Sequence, residues 1–435
     1  MSKLNISRGQ LPCRALTKQP GHHYFGYYDK CPYDPTGRYL LALEVDFMDR
    51  PPKPDDEARI GIVDLQGHGE FEQLGTTRAW NWQQGTHLQW LPSSPGRKII
   101  YNIREADGYH ACIQDIDTGN KQVLPRPIYA VSRNGSQAVS VNFSRIHDMR
   151  PGYGYNGLSD SWADEIHPEE DGIYWMDLHT GDNKLIISLA QIAAIAPDQT
   201  TDKSKHWFNH LQFSTDDARF VFLHRWKSSQ SRNPGIKELV TRQAWLKQML
   251  TGQAWFRRFL ANRPGFKQKI SGSQSHTTRM FTANADGSDV YLLNCDDMTS
   301  HFDWKNSNQI IAWARRHDIG DRYFLFTDHT DDVEVIGEDV FSSDGHCSYS
   351  PDGRFILTDT YPQGVDHLRT LILYNTTTGE RSDIGQFYSP PELQGEIRCD
   401  LHPRWNRDGT RVCFDSMHEG ERQIYELDVS AVVSP

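Results

Sequence analysis

The chain has no run of about 18 apolar residues, the length needed to cross a bilayer as a helix. Its opening, Met-Ser-Lys-Leu-Asn-Ile-Ser-Arg-Gly-Gln, lacks the apolar stretch of a secretory signal. Cysteine is scarce: seven in 435 residues, an odd number with no Cys-x-x-Cys pair. That speaks against a disulfide framework and the common zinc spacings, and suits a reducing compartment. Positive charge is in deficit, 46 Lys and Arg against 57 Asp and Glu, for a net charge of −11. General nucleic-acid binding draws most of its affinity from basic surface, so that class is set aside. Gly-x-Ser-x-Gly, a phosphate-cradling glycine loop and a convincing Cys–His nucleophile pair are missing too. A cytoplasmic globular protein without a transmembrane segment is the expectation.

What is present is a phrase repeated in register. His87-Leu-Gln-Trp90, His210-Leu-Gln-Phe213, His301-Phe-Asp-Trp304, His346-Cys-Ser-Tyr349 and His402-Pro-Arg-Trp405 each place an aromatic ring three residues after a histidine. A turn residue follows, then a short apolar strand such as Gly353-Arg-Phe-Ile-Leu-Thr, then a Thr-Gly or Asp-Gly turn and a closing strand. Four short antiparallel strands per unit are the pattern of a propeller blade. The first-turn anchors are Gly37, Gly96, Gly135, Asp217, Asn308, Gly353 and Gly409, so the reading is an all-β, seven-bladed propeller over residues 1–435. Spacing runs from 39 residues (Gly96 to Gly135) to 91 (Asp217 to Asn308), which loop insertion explains. How the ring closes is not legible.

Residues 227–272 interrupt the fourth blade. Within 227–269 stand ten Lys or Arg and one Glu, with Leu239, Leu246, Met249, Leu250, Phe256, Phe259 and Leu260 at helical spacing. A basic helical insertion is expected there, able to pack on the propeller, clamp an anionic glycan, or contact a membrane surface or a protein.

Inner strands of a propeller face its channel, so histidines in register converge. Several imidazoles with a carboxylate such as Asp400 suit a transition metal better than an oxygen-dominated calcium site. Around them stand Tyr129, where the third blade lacks its histidine, Arg145, His110, and the cluster His22, His23, Tyr24, Tyr27 and Tyr28. Trp80, Trp82, Trp90 and Tyr153 offer flat faces for sugar rings. Together these groups suit β-elimination at a uronic acid. That reaction needs the C6 carboxylate neutralised, a base for the C5 proton and an acid for the O4 leaving group.

At this point the residues resemble the oligogalacturonate lyase family, seven-bladed propellers that cleave short pectic uronides with manganese. Tyr28-Asp-Lys-Cys-Pro-Tyr-Asp-Pro-Thr-Gly37 is similar to that family's first blade. The resemblance implies His210 as the base, and His301, His346 and His402 as metal ligands. Asp400 stands where a His-Pro-His-Pro motif has its first histidine, and Ile397 and Arg398 stand where its glutamine ligand would be. His87, His110, Tyr129 and Arg145 are similar in order to the catalytic set of propeller lyases that cut ulvan or rhamnose–glucuronate bonds.

The expected function is therefore metal-assisted β-elimination on an acidic oligosaccharide, with manganese as the first choice of ion and zinc or calcium as alternatives. His210, His87, Tyr129, Arg145 and His110 are the catalytic candidates. His23, Tyr28, Trp82 and Arg398 are candidates for substrate contact, and His301, His346, His402 and Asp400 for the metal. The alternative is a non-enzymatic propeller of the TolB or WD type that binds a protein or an anionic glycan.

Overall fold

A computed structural model describes residues 6–67, 69–227 and 276–434. Seven antiparallel sheets follow one another along the chain, as the repeat predicts. Blade one is His22–Tyr24, Tyr39–Val45, Ala58–Asp64 and Phe71–Thr77. Blades two to six have inner strands at Gln89–Trp90, Ala130–Val131, His206–Phe213, Thr299–Trp304 and Ser348–Tyr349. Blade seven holds Arg404–Trp405, Arg411–Ser416 and Gln423–Asp428, and its outer strand comes from the other end of the chain. Cys13–Ala15 pairs antiparallel with it, Cys13 opposite Leu427, and this closes the ring. A further strand, Ile6–Arg8, adds parallel to the edge of blade six.

The anchors chosen from sequence are real turns. Gly37, Gly96, Gly135, Asp217, Gly353 and Gly409 all have positive φ, between 61° and 79°. The aromatic ring of each phrase packs between blades. Trp90 Nε1 donates to Pro32 O of the preceding blade at 2.9 Å, and Trp304 Nε1 to Gln212 O at 3.2 Å. Both of these tryptophans bury the ring and satisfy the N–H, whereas Trp405 buries its ring with no partner for Nε1 among the described residues. Blades four to six are stitched further through Asp303, which accepts from Gln212 Nε2 and from Tyr349 N, both at 2.8 Å. Burial lifts its carboxyl to about 6 despite those donors.

The expected helical insertion lies almost wholly outside the described residues. Its flanks are described: Lys227 pairs with His276, beside the pairing of Trp226 with His206 at the start of the inner strand. Both flanks therefore emerge on the face where inner strands begin, the face that carries the histidines. Helix is otherwise short, at Phe143–Met149 (α1), Leu189–Ala193 and Ser430–Val433 among the described residues. Arg145, a catalytic candidate of the sequence, sits in α1, because Asn142 caps a new helix by accepting from Arg145 N.

Candidate functional site

The histidines are aimed by backbone irregularity. His87, His210 and His402 have φ of 52°, 51° and 42°, a left-handed conformation that non-glycine residues adopt at a cost of about 1–3 kcal/mol. The ladders of blades four and five slip between Asn209 and Gln212 and between Thr299 and Phe302, so a bulge interrupts pairing where His210 and His301 stand. Instead of alternating with the strand, the imidazoles turn to the axis. The His301 and His346 rings lie 4.1 Å apart, His346 and His402 4.3 Å, and His210 and His301 6.2 Å.

Tyr27 sits among them. Its ring centroid is 5.0 Å from that of His402, 5.1 Å from His210, 6.1 Å from His346 and 6.4 Å from His301. It arrives there on a turn that only glycine can make: Gly26 has φ +128°, and a Cβ would meet Gln84 O at 2.8 Å. The buried Arg404–Asp415 pair pins that turn, since Arg404 donates to Gly26 O and Asp415 accepts from Phe25 N. Tyr28 next to it crosses to blade five, donating to Phe302 O at 2.8 Å and accepting from Phe302 N at 3.0 Å.

Two imidazoles are oriented by carboxylates. His301 Nδ1 meets Asp344 Oδ1 at 3.0 Å, and His346 Nδ1 meets Asp359 Oδ1 at 2.8 Å. A proton on each Nδ1 leaves Nε2 as a lone pair, the arrangement that metal-binding histidines use. Among the described residues, His346 Nε2 and His402 Nε2 are buried without hydrogen-bond partners, and one ligand atom each of His346, Asp400 and His402 falls within 4.8 Å of the others. Burial depresses the pKa of His301 and His402, keeping them neutral as ligands must be. The donor set fits a divalent ion that accepts nitrogen. Asp400 is shared, however: Arg398 Nε reaches its Oδ2 at 2.6 Å and Arg369 Nη1 its Oδ1 at 2.8 Å. Burial alone would raise its pKa, but the two guanidiniums hold it well below the usual carboxylate range.

His210 lies under a different cation. Arg150 Nη1 is 3.4 Å from His210 Nε2, and its guanidinium stacks 3.8 Å over the Tyr153 ring, whose hydroxyl accepts from Arg398 Nη2 at 2.7 Å. Tyr27 Oη is also 3.4 Å from His210 Nε2. Burial, and then Arg150, push the His210 imidazole well below its ordinary pKa, so it is neutral and able to take a proton.

The remaining sequence candidates are placed elsewhere or occupied. Arg145 is buried with its donors spent on Asp160 Oδ2, Trp162 O, Glu165 O, Ile166 O and His206 O. His110, on an outer strand of blade two, bonds Leu124 O and Asp107. His23 is held in blade one between Gln423 and Glu44. Trp82 packs against Trp80 and Tyr24 under Arg422 and donates to Arg50 O. His87 and Tyr129 do meet, at 4.5 Å between centroids, but Tyr129 Oη is engaged by Gln84 and by His210 N at 2.7 Å. The site instead contains Arg150, Arg369, Asp344 and Asp359, which the repeat does not mark. For Arg369 and Asp359 the only signals were a lone arginine in the apolar strand Leu368–Asn375 and a lone aspartate ending Phe355–Asp359.

Fold and site define a class, a seven-bladed propeller whose histidines crowd one end of its axis. Among solved structures the chain is similar to oligogalacturonate lyase from Vibrio parahaemolyticus, at 14% identity and a TM-score of 0.61 over 96% of this chain and 94% of that one. It is similar also to an oligogalacturonate lyase in complex with manganese, at 14% identity and a TM-score of 0.56, covering 96% and 93%. At that identity the likeness establishes the propeller fold. No family model matches the chain, and no curated protein matches it by sequence. Among the described residues no helix is long and apolar enough to cross a membrane.

Proposed function

We propose that the protein is a carbon–oxygen lyase that cleaves acidic oligosaccharides by β-elimination at a uronic acid. The observation that carries this reading is a buried neutral imidazole, His210, with a guanidinium and a phenol each 3.4 Å from its Nε2. Arg150 would bind the C6 carboxylate and lower the cost of charge building at C5, while His210 removes the C5 proton. The half-buried Arg398, held by the buried Tyr153, suits the next acidic sugar. His346, His402 and Asp400 would hold a divalent ion, manganese first, with His301 beside them. When bound, that ion supplies further positive charge for the substrate carboxylate. The likeness to oligogalacturonate lyases, one of them in complex with manganese, supports the same reading.

The test is the mass of the products from a panel of acidic oligosaccharides. Elimination yields fragments that sum to the substrate, with unsaturation in one of them, whereas hydrolysis adds a water. Fragments carrying the water, or no fragments, would overturn the proposal. The ion is tested separately by elemental analysis: His402→Ala should lose a divalent metal that the purified wild type retains.

A further inference from the structure

Tyr27 lies outside the histidine repeat, yet the Gly26 turn sets it at the axis. Its ring and that of His210 are nearly parallel, 19° apart, with Oη 3.4 Å from Nε2. Of the other tyrosines near the histidines, Tyr28 spends its hydroxyl on Phe302, Tyr129 on Gln84 and His210 N, and Tyr153 on Arg398. Among the described residues the Tyr27 hydroxyl has a hydrogen-bond partner only in His210. A proton donor and a proton acceptor therefore stand side by side on one wall.

We propose that Tyr27 is the catalytic acid of the elimination, and that this same-side pair restricts the enzyme to uronides whose C5 hydrogen and C4 oxygen share one face of the ring. Those are the gluco- and manno-configured uronates. The inference rests on the lyase reading and deepens it. His210 Nε2 takes the C5 proton, and the C5–H electron pair becomes the C4=C5 double bond. The C4–O4 bond breaks, and its electron pair leaves on O4, which takes the Tyr27 phenolic proton. The resulting phenolate recovers a proton from the imidazolium beside it, so base and acid are both reset and the net change is one proton moved from C5 to O4.

Distance decides the stereochemistry. Reacting atoms approach to about 3–3.5 Å, so an acid and a base on opposite faces of a sugar must be about 6 Å apart or more. A pair 3.4 Å apart cannot straddle a ring; it can serve two bonds on one face. Galacturonate and guluronate, whose C5 hydrogen and C4 oxygen are trans, would present only one of those bonds to it.

The experiment compares 4-linked glucuronide and mannuronide oligomers with galacturonide and guluronide oligomers, using wild type and Tyr27→Phe. The expected result is cleavage of the cis-configured pair at least about 100-fold faster. Tyr27→Phe should lower kcat on those substrates by about 10²–10⁴-fold at an unchanged thermal midpoint, and an activated aryloxy leaving group at C4 should recover most of the loss. Preferential cleavage of galacturonide or guluronide would overturn the inference and leave the lyase reading standing. Full activity of Tyr27→Phe, or a loss that an activated leaving group does not repair, would also overturn it. Elimination from none of the four would remove both.

Discussion

Two arginines at opposite ends of one short helix have opposite roles. Arg145, in the first turn of α1, is a structural cation: its guanidinium is surrounded by carbonyls and by Asp160, whose side chain is fully buried. Arg150 caps the far end, donating its backbone N–H to Ile146 O, and its side chain leaves the helix toward His210. Removing one partner of a buried pair leaves an uncompensated charge, so Arg145→Ala should destabilise the fold by about 3–5 kcal/mol in denaturant titration. Arg150→Ala should unfold at the wild-type midpoint but lose about 10²–10³-fold in kcat/KM on an acidic oligosaccharide, the scale of removing one preorganised donor. Both arginines are visible in the sequence. Their roles are not, because the helix that separates them interrupts a blade where the repeat predicts a strand.

At the scale of elements, the blades were legible and the site was only partly so. A short apolar strand and a turn residue recur in every blade, and a packing aromatic after a histidine in five of the seven, so local physics announces the blades. The turn that carries Tyr27 occurs once, in a blade whose inner strand lacks the phrase, and nothing repeats to mark it. Gly26→Ala should therefore cost activity out of proportion to stability, since the strain at φ +128° is relieved by moving Tyr27 and Tyr28 off the axis. Crystallography of the variant checks that displacement. Blade four contains a second, separate imidazole pair, His206 Nδ1 to His224 Nε2 at 2.7 Å. Burial pushes His206 down to about 4 and His224 well below its ordinary value. The unfolded chain, with histidine near about 6.5, binds more protons than the folded one. The stability this pair permits is thus complete above that pH and is lost as pH falls toward about 4. A thermal midpoint that declines across this window, with a shallower decline in His206→Gln, is the expected outcome.

For the whole molecule, the missing piece was closure. Antiparallel blades follow one another by short connections, but the last strand pairing joins residues more than 400 positions apart, Cys13 with Leu427. Thr17 adds a bond to Gln423 at 2.6 Å, and Arg14 an ion pair to Glu426 at 2.7 Å. Such a pairing has no local signature, since any edge strand could have supplied it. It holds the ring whose blades four to seven aim the histidines, so deleting residues 1–17 should lower the thermal midpoint and loosen the site together. The site itself is lopsided: Arg150, Arg398 and Arg369 lie toward His210 and His402, whereas Asp344 and Asp359 support His301 and His346. That asymmetry is what orienting an acidic sugar requires. The most direct test is a continuous ultraviolet assay for the C4=C5 unsaturated uronide, run on a panel of acidic oligosaccharides with wild type and His210→Ala. The account predicts unsaturated product from the wild type and a loss of about 10²–10⁴-fold in rate for the folded variant. Absence of unsaturated product from every substrate, or an undiminished rate in His210→Ala, would contradict it.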